Sequence, residues 1–272
     1  SLSGNEVSGT VSGVWGIEDS PYLVTGDLLV SPYTSLAINP GVEVVFMEDY
    51  ELRVEGELHA VGTEQDSIYF RSDLPGESTW AGISFQFSTA LSEISYADIQ
   101  STSGNAVYTY YSNPVTITHS SFYDCNNTPL YFDDTFAQIT LDNLNIVSST
   151  EGVRSSDAVV SISNTTINGE GNDPGVYHSG SYQLIMDNVL ISGFGSGLKI
   201  NSSSAFDNLI SNSRFTSNST GLFLESSKAI LDNSEIDNNT DNGIYVAGDN
   251  NSLTLNDSEV HDNNNQGILI YQ

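Results

Sequence analysis

The sequence predicts an all-β solenoid of three parallel sheets, wound in coils of about 23 residues. Three observations predict it. First, a short phrase recurs along the chain, clearest in ILDNSEIDNNTDNGIYV and LTLNDSEVHDNNNQGILI near the C-terminus. An apolar residue is followed by any residue, an Asn or Asp, two more residues and an apolar residue; a polar loop and a Gly-apolar-any-apolar run complete the phrase. Aligned on the residue that opens this last run, the phrase returns at Gly82, Ala106, Pro129, Gly152, Gly175, Gly197, Gly221, Gly243 and Gly267. A fixed period of this size marks a repeat architecture. Second, each repeat holds three short runs of apolar/any/apolar alternation, the period of a half-buried strand, and no segment keeps a helical period. Third, one column of the alignment reads Tyr96, His119, Asn143, Asn164, Asn188, Asn212, Asn233 and Asp257. Asn tolerates the left-handed backbone of a tight bend. These Asn amides are expected to stack at one bend, coil on coil.

Strands this short do not pair as hairpins within one repeat. Each pairs with its equivalent one coil away, which removes the need for helical crossovers. Residues 1–14 carry few apolar groups and read as a leading arm. From Trp15 the chain becomes strand-like through YLVTGDLLV, LAINPGVEVVF, LRVEGELHAVG and IYFRS, with a turn at Asn39-Pro40-Gly41. These first coils are irregular, so residues 1–80 are expected to form an N-terminal arm and cap, and residues 81–272 the regular coils. Trp15, Tyr22 and Trp80 are expected to plug the open end of the core. After the Asn column the next position points inward and is mostly small: Ala97, Ser120, Thr165, Ser213, Ser234 and Ser258. Arg214, Glu235 and Glu259 share an outward register; Arg214 is expected to pair with Glu235, and the two glutamates to repel unless a cation or water intervenes. The final run, Ile268, Leu269, Ile270 and Tyr271, reads as an apolar strand without a cap, expected either to continue into further coils of a longer natural protein or to serve in head-to-tail self-association.

On these repeats, and on the runs LAINPGVEVVF, LRVEGELHAVGT, IYFRSD and STWAGISF, the sequence resembles the right-handed parallel β-helix proteins of the pectate-lyase-like superfamily, in the form found in bacterial secreted and surface proteins. The resemblance implies the right hand. It implies little about activity, since the superfamily holds lyases, hydrolases, adhesins and structural shafts.

Composition narrows the partners. Net charge is −29, with six Lys plus Arg. Nucleic-acid binding needs a basic footprint and is excluded in practice. Anionic membrane surfaces are disfavoured, and no apolar run is long enough for a spanning helix. The one cysteine, Cys125, reads as a buried structural thiol. Low Lys with abundant Asn, Ser, Thr and Gly suits an extracellular or cell-surface protein.

In each Gly-opened strand the middle residue points outward. Coil by coil these residues are Ser84, Tyr108, Tyr131, Arg154, Tyr177, Lys199, Phe223, Tyr245 and Leu269. The resemblance places the substrate groove of β-helix enzymes on this sheet. Tyr108, Tyr131, Arg154, Tyr177, Lys199, Phe223 and Tyr245 are therefore the candidate ligand-binding residues: rings for stacking on sugars or on a protein partner, Arg154 and Lys199 for carboxylates. Strand propensity and ring stacking along a sheet face account for the same column without a ligand. A lyase of this superfamily uses a Lys or Arg base and calcium held by acids. Arg154 and Lys199 fit the first role; Asp133, Asp134, Asp157 and Asp173 lie near the face but form no recognised calcium loop. Asp133-Asp134 and Asn239-Thr240-Asp241 match fragments of the polygalacturonase pattern in reverse order, without its His-Gly and Arg-X-Lys pieces, and His59, His119, His178 and His261 sit in no catalytic spacing. No catalytic residue is assigned. Even, short loops favour a non-catalytic structural, adhesive or glycan-contacting module of a surface or fibre-forming protein. The alternative is a polysaccharide lyase or another carbohydrate-active enzyme using the Tyr/Arg/Lys ladder as its groove.

Overall fold

The computed structural model describes residues 3–135 and 137–271. They fall into two compact units, Ser1–Thr140 and Leu141–Gln272.

The first unit is built from three parallel sheets. One contains Gly13–Trp15, Ser35–Ile38, Glu57–Val61, Ser92–Ser95 and Val115–Thr118. The second contains Glu51–Val54, Gly82–Gln86, Val107–Tyr110 and Leu130–Asp133. The third contains Glu43–Phe46, Ile68–Ser72, Ala97–Thr102 and Ser121–Cys125. The leading arm is itself strand: Asn5–Thr10 pairs in parallel with Tyr22–Val30. Register keeps buried residues above buried residues. Ile83 faces Val107 and Val107 faces Leu130; Phe85 faces Thr109 and Thr109 faces Phe132, all buried. Trp15 stacks on Tyr22 at 4.4 Å. Trp80, expected as an end plug, lies instead inside the unit. It is fully buried, 4.1 Å from Phe46, and its indole N–H donates to the Gln100 carbonyl. Cys125 is buried, and burial pushes its thiol up to about 11.

The second unit repeats the plan more regularly. Val153–Ser156, Pro174–Ser179, Ser196–Asn201, Thr220–Glu225, Ile244–Ala247 and Ile268–Tyr271 make one sheet. Lys228–Asp232 and Ser252–Asn256 lie in the next sheet, and Arg214–Thr216, Glu235–Asp237 and Glu259–His261 in the third. Val160–Gly169 and Leu184–Ser192 each run through both of these sheets, bent at Asn164 and Asn188. The core is made of stacked rows contributed by the sheets, such as Val176, Leu198 and Leu222 from one and Ile191, Phe215 and Ile236 from another, each fully buried.

The corners are where backbone donors would be lost, and three ladders account for them. At the first bend, Asn143, Asn164, Asn188, Asn212 and Asn233 all have φ between 48° and 54°. Their amides point outward and run along the coils: Asn188 donates to Asn164 at 2.8 Å and Asn233 to Asn212 at 2.7 Å. The column is not purely amide, because Asn164 and Asn212 donate to Asp142 and Asp187. Immediately after this bend the small inward residue takes over. The hydroxyl of Ser213 accepts the Val189 N–H, that of Ser234 accepts the Ser213 N–H, and that of Ser258 accepts the Ser234 N–H. Each of these hydroxyls donates to a carbonyl two residues earlier. At a second corner Asn218, Asn239 and Asn263 form an inward ladder that alignment on the first bend overlooks. Asn218 accepts the Phe194 N–H, Asn239 the Asn218 N–H and Asn263 the Asn239 N–H. Their amide nitrogens donate to the carbonyls of Ile191, Phe215 and Ile236. A third corner uses Ser227 and Asn251 in the same way.

Burial ranks the ladders. Asn239 is 1% exposed, while Asn188 is exposed. Asn239→Leu orphans the Asn218 N–H and the Phe215 carbonyl, each at about 1–3 kcal/mol. Asn188→Leu loses mainly the left-handed tolerance of Asn, about 1–2 kcal/mol. Urea unfolding of the two variants should show the larger loss for Asn239→Leu; equal losses would contradict the ranking.

Candidate functional site

The outward column of the Gly-opened sheet lies where the alternation places it. In the second unit Arg154 faces Tyr177, Tyr177 faces Lys199, Lys199 faces Phe223, Phe223 faces Tyr245 and Tyr245 faces Leu269. All are half-exposed. The side chains lean on one another. The Arg154 guanidinium sits 4.6 Å from the centre of the Tyr177 ring, and the Lys199 ammonium 4.5 Å from that of Phe223. Phe223 and Tyr245 are tilted at 5.0 Å. Carboxylates flank both cations: Glu151 accepts from Arg154 at 2.9 Å and 3.1 Å, and Glu225 lies 3.7 Å from Lys199. The looser Lys199 contact leaves an ammonium that can turn toward a ligand carboxylate without breaking a short hydrogen bond. Asn201 donates to the Tyr177 hydroxyl at 3.4 Å. Beneath the column His178 is fully buried, in contact with Ser155 and the Tyr182 carbonyl; burial lowers its pKa and holds it neutral. It is a packing residue.

In the first unit the same column holds Ser84, Tyr108 and Tyr131, in register. Ser84 is buried, and Tyr108 and Tyr131 are 5.4 Å apart at 51°. Burial, reinforced by Asp133, pushes Tyr108 up to about 12. Two neighbouring columns add residues that a single-column reading does not reach. Gln86, Tyr110 and Asp133 follow one register on, and Phe87, Tyr111 and Asp134 stand at the corner. Phe87 and Tyr111 are parallel within 2° at 5.9 Å, and Tyr110 meets both edge-on, at 5.6 Å and 4.5 Å. Phe87 has φ 52° and Tyr111 φ 47°. Left-handed backbone at a bulky residue costs about 1–3 kcal/mol. In the other coils this corner carries Asp134, Asp157, Gly180, Ser202, Ser226 and Gly248, small or polar groups better suited to the bend. Two aromatics in a column of Asp, Ser and Gly are visible in the sequence once this corner is aligned.

Another charged cluster lies on the third sheet of the second unit. Arg214 meets Glu235 at 3.2 Å, as expected, but its tighter partner is Asp237, at 2.6 Å and 2.9 Å. Asn238 donates to the same carboxylate. The clash expected between Glu235 and Glu259 is relieved by His261, which is 3.1 Å from Glu235 and 3.8 Å from Glu259 and also contacts Asp262 at 2.9 Å. Asp262 and Glu235 raise the His261 pKa, and Arg214 lowers that of Asp237. Among the described residues no group of three His, Cys, Asp or Glu is arranged to hold a metal ion, and no helix is long and apolar enough to cross a membrane.

A family model described as "Right handed beta helix region" matches residues 151–272. No curated protein matches the chain. Among solved structures, the chain is similar to the periplasmic alginate epimerase AlgG, at 13% identity and a TM-score of 0.61, over 97% of this chain and 85% of that one. A point mutant of the same epimerase gives 14% and 0.58, over 97% and 84%. The A-module of the mannuronan C-5 epimerase AlgE4 from Azotobacter vinelandii gives 16% and 0.49, over 98% and 89%. At these identities the likeness is one of fold.

The charged cluster yields a pH prediction. His261, with its pKa raised, contributes stability that is fully present below its ordinary value of 6.5 and lost as pH rises through the folded value. Asp237 acts oppositely: its contribution is present above 3.8 and lost as pH falls through its lowered folded pKa. Melting temperature followed upward from pH 6 should fall more steeply for the parent chain than for His261→Gln. Parallel profiles would show that His261 does not bridge the glutamates.

Proposed function

We propose that this chain, a right-handed parallel β-helix repeat protein, is a carbohydrate-active protein of the extracytoplasmic space that receives an acidic polysaccharide on the outward ladder of its second unit. One observation carries the reading. Cations and rings occupy one exposed column, in the order Arg154, Tyr177, Lys199, Phe223 and Tyr245, each one strand from the next. Strands repeat about every 4.8 Å. Rings offer apolar faces to the C–H faces of pyranoses, while guanidinium and ammonium groups donate charge-assisted hydrogen bonds to carboxylates. Solved structures of this fold named as alginate epimerases lend support, since alginate is a polymer of uronic acids. Such enzymes act outside the cytoplasm in the named periplasmic case, which fits the scarcity of Lys here.

The whole chain opposes this ligand at long range, because it carries a net charge of −29. Binding must therefore come from contacts within the ladder, and screening should help it. Moderate salt is expected to strengthen binding of an oligouronate, whereas a basic groove would show the reverse. In calorimetric titrations Lys199→Ala should weaken binding about tenfold, about 1.4 kcal/mol, and Phe223→Ala by a similar factor. Unchanged affinity in both variants would overturn the reading.

A catalytic form of the same reading needs Lys199 as its neutral amine, released from Glu225, which lies 3.7 Å away. The amine would take the proton α to the sugar carboxylate and become the ammonium, a second carboxylate-binding cation such as Arg154 would stabilise the charge delocalised into the carboxylate, and the electron pair would either expel the glycosidic oxygen or take a proton back at the same carbon. Appearance of unsaturated uronate, or exchange of the sugar C5 proton with deuterated solvent, reports this step, and Lys199→Ala should abolish either signal. Binding without either signal assigns the ladder to recognition alone.

A further inference from the structure

We infer that the first unit carries a separate saccharide subsite of opposite charge preference, formed by Phe87, Tyr110 and Tyr111 beside Asp134. It takes a sugar ring that bears hydroxyl or amino donors and no carboxylate.

The rings are accessible. Phe87 is 58% exposed and Tyr111 40% exposed, so burial does not account for them. The backbone does not account for them either. Both residues sit at the left-handed corner, which other coils fill with Asp, Ser or Gly. Aromatic side chains at this position in two successive coils work against local backbone preference. What they produce is an offset stack: two rings parallel within 2° with centres 5.9 Å apart, and Tyr110 set edge-on against both, so that a ligand meets an outer ring face. Exposed parallel rings fit the flat C–H face of a pyranose.

Charge selects among sugars. Asp134 occupies the same corner in the coil after Tyr111. Its neighbour Asp133 is in register with Tyr110, and the charge of Asp134 raises the Tyr111 pKa. Asp133 acts in the same direction on Tyr108. Arg53, which faces Ser84 in the ladder register, is paired with Glu55 at 2.7 Å. Carboxylates and ring faces repel a uronate. They accept hydrogen bonds from sugar hydroxyls, and they attract an ammonium through ion pairing and cation–π contact. This preference is the reverse of the one proposed for the second unit, and it does not rest on that reading.

The test uses the full chain and four oligosaccharide probes: a cello-oligosaccharide, a manno-oligosaccharide, a chitosan oligosaccharide with free amines, and an oligouronate. Binding is read by quenching of protein fluorescence and by calorimetry. The parent chain should bind at least one of the first three. Preference for chitosan identifies the amine as the recognised donor, and equal binding of the neutral probes identifies the hydroxyls. The double variant Phe87→Asn with Tyr111→Asn should lose that binding by tenfold or more while its melting temperature holds or rises, because Asn accepts the left-handed corner. Two results would overturn the proposal: no binding of any uncharged or amino sugar, or a double variant that binds as the parent does, whatever its melting temperature. Failure of the second-unit reading appears separately, in the oligouronate arm with Lys199→Ala.

Discussion

The later coils of this protein depend on a donor problem solved by the next coil. A strand that must bend sharply enough to close a coil passes through a left-handed residue, and the following N–H turns inward, away from water. An unpaired donor there is costly. Ser213, Ser234 and Ser258 at one corner, and Asn218, Asn239 and Asn263 at another, each reach back to accept the N–H of the preceding coil. The side chain that satisfies a corner therefore belongs to a different repeat. This couples neighbours and holds the aligned positions to spacings of 22 to 24 residues. It also explains a core that is narrow and aliphatic between corners and polar at them.

Fixing the corners from within leaves the outside of each strand unconstrained. Register places equivalent outward residues directly above one another, so a choice made in successive repeats becomes a continuous column. The second unit uses one column for cations and rings. The first uses three adjacent columns for rings and carboxylates. Cross-strand contacts between such side chains stabilise the sheet modestly. For Arg154 over Tyr177 and Lys199 over Phe223 that stabilisation and a binding role are compatible, since the four residues remain half-exposed.

Much of this was legible before any coordinates. The period, the three sheets, the bend at Asn143 through Asn233 and the outward column from Tyr108 to Tyr245 all follow from alternation plus alignment. What alignment did not reach has physical reasons. The inward ladder at Asn218 and Asn239 sits in loops where almost every residue is Asn, Asp, Ser or Thr, so composition hides the one amide that turns inward. Trp80 reads as a plug because large aromatics suit open core ends, yet its stacking on Phe46 depends on a partner 34 residues earlier in the chain. Asp237 beats Glu235 for Arg214 because its shorter carboxylate is buried at a fixed register, which a search for opposite charges in one column does not test. Phe87 and Tyr111 lie at the left-handed corner beyond the strand, where two-residue alternation no longer tells which way a side chain points.

The account stands on the outward ladder of the second unit being a surface for polysaccharide rather than a self-contained stack of side chains. The most direct measurement is a crystal structure of the chain soaked with a uronate hexasaccharide. The account predicts sugar rings over Tyr177 and Phe223, with a sugar carboxylate within hydrogen-bond distance of Lys199 or Arg154 and the Lys199–Glu225 contact displaced. Saccharide bound elsewhere, or a ladder unchanged and bare beside saturating ligand, would contradict it.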